Sequence, residues 1–435
     1  MKKKLFTLSM LSLLALGLGA CSTAKNESSP ANEDIRAIYE LYQANGGTQT
    51  YEEWLASIKG DKGDKGEKGD TGAQGPKGDK GDKGDTGAAG ANGQNGAPGA
   101  QGQPGKDGKD GKDARLTFLV KDAAELQAAL SIDEAYVVMA SDITVEQQLN
   151  LVGDDMILDF AGYHLIYNSS SGIDIKEEQT FTLQQSLGLN GGIRAVNIPY
   201  GTTSLFSVDR AGIFNLNNVN IQTTGTAIYP RGAATEVNVN NSRIGAGVYA
   251  VGTNASGPEN YGVVINLNNS EFASFGYQGY PDNFDHDDCT LMINVPGSLN
   301  VNNCSIVGDR QALLVRSGNA VVEDTTIAYT GAFETQKYLD SNWGSGNEVP
   351  TAAIVVGDRS AGTAYAHDMS LSLRDVDIIN ATNLPSIYGY RNANTYSVEV
   401  DLDNVLVKTS STAEGAAAEV TVGTGSQDLV IRQAN

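Results

Sequence analysis

The densest cluster of side chains able to do chemistry is Asp282-Asn283-Phe284-Asp285-His286-Asp287-Asp288. Asp282, Asp285, Asp287 and Asp288 offer the oxygen ligands that a hard cation such as Ca2+ takes. Asp285, His286 and Asp287 equally supply an acid and a base for proton transfer. The same residues also make a plain solvated loop in an acidic chain, and that simpler reading is preferred. Just before them, Tyr277 and Tyr280, with Tyr261, offer flat faces on which a sugar ring can stack. Packing of such aromatics onto the body of the protein is the commoner outcome, and Tyr388 and Tyr390 pose the same choice. His164 and His367 are expected in structural roles. Cys289 and Cys304 are left either as buried thiols or as a disulfide, which an oxidising compartment permits.

These side chains sit among repeated strands. Phe214-Asn215-Leu216-Asn217-Asn218-Val219-Asn220-Ile221 recurs as Val237–Ile244, Ile265–Phe272, Leu299–Ile306, Val321–Ile327, Leu371–Ile378 and Val400–Val407. The shared positions Asn218, Asn241, Asn269, Asn303, Asp324, Asp375 and Asn404 stand 23, 28, 34, 21, 51 and 29 residues apart. A strand–turn–strand unit at that period predicts a solenoid. Asn and Asp suit the turn because they tolerate the left-handed conformation and bond local backbone. Stacked coil on coil, they can also bond one another as a ladder. Apolar residues alternate inward, and the longer gaps, 273–298 and 328–370, are expected to be loops protruding from the solenoid. Asp122 to Leu130 reads as a capping-box helix at the start of the solenoid.

Residues 114–435 resemble the right-handed parallel β-helix of the pectate-lyase-like superfamily. The fold class expected is therefore mainly β: a β-helix head preceded by a collagen triple-helix stalk and a short helical segment. Ile157-Leu158-Asp159-Phe160-Ala161-Gly162-Tyr163-His164-Leu165 looks like the first turn of such a domain. The resemblance raises the question of polysaccharide cleavage. Of the motifs of polygalacturonase-like enzymes, only paired aspartates occur. A lyase needs an arginine base beside clustered acids, and the repeats offer Arg243, Arg316 and Arg374 with no rule that brings them together.

The stalk is the clearest feature. Gly60 to Asp113 is an unbroken run of Gly-X-Y triplets, holding 18 of the 51 glycines of the 435-residue chain. Only glycine fits at the axis of three wound polyproline-II strands, which forces the period of three. Proline is scarce (Pro76, Pro98 and Pro104), and Lys-Gly-Asp pairs such as Lys62-Gly63-Asp64 and Lys80-Gly81-Asp82 are expected to join neighbouring strands instead. At about 3 Å per residue the rod would reach about 160 Å.

Ahead of the stalk, residues 32–59 carry two short helical patterns, around Tyr39 and Trp54, read as a trimerisation segment. They resemble stretches that precede collagen-like repeats in bacterial and phage surface proteins. Lys2, Lys3 and Lys4 followed by the apolar stretch to Leu18 read as an export signal over 1–21. Leu18-Gly19-Ala20-Cys21 resembles the lipobox of bacterial lipoproteins, which implies lipid on Cys21, a flexible tether over 22–31 and attachment at the outer face of a membrane.

Of the net charge of −22, residues 1–59 contribute 6 − 6 = 0, the stalk 9 − 10 = −1, and the head 15 − 36 = −21. Such acidity argues against a nucleic-acid partner. The organisation implies a homotrimeric, lipid-anchored surface protein whose heads adhere to a glycan or host-surface ligand. A tethered polysaccharide lyase or hydrolase is the alternative. No cofactor is expected beyond Ca2+ at the aspartates.

Overall fold

A computed structural model describes Thr50 and residues 115–434, except 188–190, 200–202, 254–257, 275–288, 309, 331–351, 359–366, 392–394 and 424–425. The expected lipid site at Cys21, the segment 32–59 and the Gly-X-Y run lie outside the described residues. Among the described residues, no helix is long and apolar enough to cross a membrane.

The repeat folds as coils of three strands. In one coil, Ile213–Asn217, Asn220–Thr223 and Thr226–Pro230 succeed one another. In the first of these Phe214 and Leu216 are buried and Asn215 and Asn217 point outward, as a period of two requires. Each strand pairs in parallel with its counterpart one coil away: Phe214 lies beside Phe181 on one side and Val237 on the other. The third strands stack into a nine-stranded sheet from Ile173–Ile175 to Val420–Val422. The architecture is a parallel β-helix. Among the described pairs one is antiparallel, Ala416–Ala417 against Leu406 and Val407.

The turn after the first strand behaves as its residue types require. Asn218, Asn241, Asn269, Asn303, Asp324, Asp375 and Asn404 all take positive φ, between 47 and 60°. That kink aims each backbone N–H at the next coil: Asn218 N donates to Asn240 O at 3.0 Å and Asn269 N to Asn302 O at 3.0 Å. The next residue is served from inside. Ser242 Oγ accepts from Val219 N at 3.0 Å and Ser270 Oγ from Ser242 N at 3.0 Å, so the corner leaves no orphaned donor there.

A second set of left-handed residues precedes the first strands: Glu134, Asp155, Glu178, Ala211 and Ala234, followed by Gly262. Nothing in the types Glu and Ala signals this conformation, which costs such residues about 1–2 kcal/mol each. The third strands were equally hidden. Cys289–Ile293 and Ile354–Asp358 lie within the two gaps that sequence assigns wholly to loops, and both are strands of the nine-stranded sheet. Their uniform apolarity (Cys289-Thr290-Leu291-Met292-Ile293) shows no alternation because both faces are covered.

The core is a column of stacked aliphatic and aromatic side chains. Phe181 and Phe214 stack at 6.1 Å between centroids, and Phe206 tilts onto Phe214 at 4.6 Å. Each such fully buried side chain contributes about 1.5–3 kcal/mol. At the first coil, helix α1 (Ala123–Ala129) is capped by Asp122, whose carboxylate accepts from Ala124 N and Glu125 N. Lys121 N, one residue ahead of the cap, donates to Glu125 Oε2 at 3.0 Å, so the first turn also holds the entering chain. Leu126 and Leu130 anchor the helix in the core.

A groove on the second strands is the candidate functional site

The outward faces of successive second strands form a groove of about 400 Å³. Its base follows the register Arg194–Gln222–Gly245–Ala273–Val307, where Gly245 and Ala273 leave room between longer neighbours. Beside it runs the row His164–Gly192–Asn220–Arg243–Glu271–Ser305. Gly192 admits no side chain, since a Cβ there would meet Asn220 O at 1.9 Å. Ile193, Ile221, Ile244 and Phe272 point the other way, into the core, and fix the strands that carry the polar groups.

The groove is mixed in polarity and in charge. Arg243 Nη2 lies 3.0 Å from Glu271 Oε1, both largely exposed. Arg194 is exposed two coils away. His164 N donates to Asp142 Oδ1 at 2.8 Å, and the His164 ring lies 3.8 Å from the same carboxylate. Two arginines concentrate positive charge here in a head that is otherwise strongly acidic. Such a row can hold an extended ligand through several hydrogen bonds and at least one anionic group.

The three arginines singled out from the repeats are dispersed. Arg243 lines the groove. Arg374 stands on the first-strand face, where it meets Glu323 at 2.7 Å and Asp403 at 3.9 Å. Arg316 is buried at the end of a third strand. No lyase-like cluster forms from these three. Arg194 and Gln222, which the groove does use, escaped sequence reasoning; a count of outward positions along the second strands would have found both.

Tyr277, Tyr280, Asp282, Asp285, His286, Asp287 and Asp288 lie outside the described residues. Their segment leaves the coil after Ser274, the end of the strand that places Glu271 and Ala273 in the groove, and rejoins at Cys289. Ser274 Oγ and Thr290 Oγ1, 2.8 Å apart, tie the two anchors together. Among the described residues no group of three His, Cys, Asp or Glu is placed to hold a metal ion.

Other candidates have structural neighbours. Tyr261 Oη lies 2.6 Å from His367 Nε2, with the rings edge to face. Tyr388 is buried in a second apolar cluster with Val248, Tyr249, Cys289, Met292 and Leu314, and Tyr390 packs against it. Of the two states open to Cys289 and Cys304, the structure holds separate buried thiols. Cys289 belongs to that second cluster on the third-strand sheet, whereas Cys304 faces the main core from the turn after a first strand. Cys304 Sγ donates to Asn302 O at 3.2 Å, and burial pushes its pKa up.

Asp159 is fully buried and holds the first turn together. It accepts from Tyr136 Oη at 2.7 Å, Gln184 Nε2 at 3.0 Å, Ala161 N at 2.9 Å and Ser186 N at 3.1 Å. Burial, reinforced by this carboxylate, drives the Tyr136 hydroxyl far above the ordinary tyrosine range.

The family model of the collagen triple helix repeat (20 copies) matches residues 57–115. No curated protein matches the chain. Among solved structures, the Azotobacter vinelandii mannuronan C-5 epimerase AlgE6 A-module is similar at 11% sequence identity, covering 74% of this chain and 89% of that one with a TM-score of 0.21. A likeness at that score carries no argument here, and the β-helix rests on the strand pairing itself. The chain thus joins a collagen-like repeat to a parallel β-helix.

Proposed function

We propose that this chain is a surface projection: lipid on Cys21 anchors it, residues 32–59 align three copies, and the Gly-X-Y run winds into a homotrimeric stalk. The β-helix heads then bind a glycan or another extended surface ligand through the second-strand groove. The observation that carries the reading is the order of parts, a collagen-repeat match over 57–115 leading directly into a β-helix with a groove that carries charged side chains on one open face. Three heads on one stalk would raise weak single-site affinity through multivalency.

One observation favours the alternative of a tethered polysaccharide lyase or hydrolase: Arg194, Arg243, Glu271 and His164 share the groove. The two readings separate when the full chain is incubated with a glycan panel. Retention without new products, reduced by Arg194→Ala and Arg243→Ala, supports adhesion. Product formation abolished by Glu271→Gln or Arg243→Ala supports the enzyme.

A further inference from the structure

The second-strand groove is charged unevenly from coil to coil. It crosses successive strands, which lie about 4.7–4.9 Å apart, so an extended ligand follows the axis of the coils. Gly192–Ala195 carries Arg194. The next strand, Asn220–Thr223, offers only the amides of Asn220 and Gln222. Arg243–Ala246 then carries Arg243, and Glu271–Ser274 carries Glu271.

These charges are not equally available. Arg243 Nη2 donates to Glu271 Oε1 at 3.0 Å, so that pair of coils is close to neutral. Arg210, Arg231, Arg374 and Arg432 are likewise each paired with a carboxylate. Arg194 is exposed, and among the described residues its guanidinium has no hydrogen-bond or ion-pair partner. Gly192, two residues back on the same face, has no side chain to shield it. A guanidinium is a rigid fork of donors suited to an anionic group, and here it stands uncommitted in a head whose net charge is −21 by the counts above.

The floor of the groove narrows the ligand further. Gly245, Ala273 and Val307 are half-exposed, their side chains neither donate nor accept, and their backbone groups belong to the sheet. A peptide laid there would strip water from its own N–H and C=O groups with nothing in return. The C–H face of a sugar ring loses no such bond. Hydroxyls at the rim of the ring can meet Gln222 and Ser305, whose side chains make no hydrogen bond among the described residues.

Building on the reading of this groove as a glycan site, we propose that it selects chains in which an isolated acidic sugar sits among neutral ones, with the anion on Arg194. A polyuronate carries a carboxylate on every ring. Along the same path it would bring one to Glu271, where like charge repels it, and the net charge of the head opposes it throughout. A wholly neutral chain would cover Arg194 without giving it an anion.

The test passes the full chain over immobilised β-1,4-glucan, galactan and N-acetyllactosamine chains, each in three forms: neutral, bearing a single uronic or sialic acid, and bearing an acid on every ring. The native chain binds a singly acidic form about tenfold more tightly than its neutral form, the effect of one charge-assisted contact, and is not retained by the fully acidic form. Arg194→Gln lowers the singly acidic form to the neutral level while circular dichroism stays native. Glu271→Gln, which removes the repelling carboxylate and frees Arg243, raises retention on the fully acidic form. Arg374→Gln takes an equal charge from the first-strand face and alters none of the three. The inference is overturned, and the glycan reading kept, if neutral and singly acidic forms bind alike or the fully acidic form binds best. The same holds if Arg194→Gln preserves the preference or Glu271→Gln leaves the fully acidic form excluded. Retention on no form overturns both.

Discussion

Asn266 Nδ2 donates to Asn238 Oδ1 at 2.9 Å across 28 residues of chain. The same bond recurs from Asn300 to Asn266 across 34 residues and from Asn238 to Asn215 across 23. The length of the intervening chain does not matter, because insertions leave at the corners and the first strand returns to the same register. A coil can therefore acquire a long loop without disturbing the outward faces.

The corner itself gives the first prediction. Asn269 sits at φ 50° and accepts from Asn303. Asn269→Gly and Asn269→Ala both lose that bond, but only alanine meets the steric cost of the left-handed conformation. Alanine is expected to be less stable than glycine by about 1 kcal/mol. Urea unfolding followed by circular dichroism measures the difference, and equal midpoints would remove the conformational argument.

Tyr136 gives the second. Its hydroxyl is bonded to buried Asp159 and its pKa is raised by burial first and the carboxylate second. The folded state keeps the proton more tightly than the unfolded one. This contribution is complete below the ordinary tyrosine value of 10.0 and is lost as pH rises above it. Tyr136→Phe should cost about 1–3 kcal/mol at pH 7, since Asp159 loses a buried donor. Stability of the native chain should fall above pH 10 more steeply than that of the variant, as thermal melts at stepped pH would report.

Much of this architecture is legible in the residues. The seven turn positions were identifiable because Asn and Asp are among the few residues at home in the left-handed region, and Asp122 with Glu125 marked the helix by its capping pattern. The second corner was not legible: Ala211 and Ala234 take the same conformation against their intrinsic preference, held there by the coils on either side. The third strands were hidden for a different reason. Leu291 and Met292 face opposite clusters, so alternation, the signal of a half-exposed strand, is absent. The groove depends on which coils carry Gly245 and Ala273 at one register position, and that register exists only once the coils are stacked.

The two thiols yield the third prediction. A thiolate is the reactive form, and burial holds the Cys304 thiol in its neutral state. Native protein at pH 7 should be inert to a thiol reagent at Cys289 and Cys304, while unfolded protein exposes both without prior reduction. Lipid attached at Cys21, as proposed, consumes the remaining thiol of the three in the chain. The unfolded anchored protein should then titrate two thiols, and unprocessed protein three. A denaturing titration that needs a reductant to reveal Cys289 and Cys304 would contradict the separate thiols seen here.

The proposed stalk can be tested through its lysines. A disordered Gly-X-Y run presents nine of them to trypsin, whereas a wound trimer shields the backbone. Full chain in the cold should keep the run intact and show the polyproline-type dichroism of a triple helix. With proline at only three positions, stability must come in large part from repeated Lys-Gly-Asp and Lys-Gly-Glu pairs. Each exposed pair contributes only about 0.2–1 kcal/mol, but a trimer multiplies it. Salt separates this source from any other. At 1 M ionic strength the screening length shrinks to about 3 Å, so the stalk should melt at a lower temperature than at 0.01 M, where it is about 30 Å. The head, whose acidity makes it repel itself at low salt, should move the opposite way or not at all. Parallel melts of the two transitions would show this divergence, and a stalk indifferent to salt would place its stability outside the ion pairs.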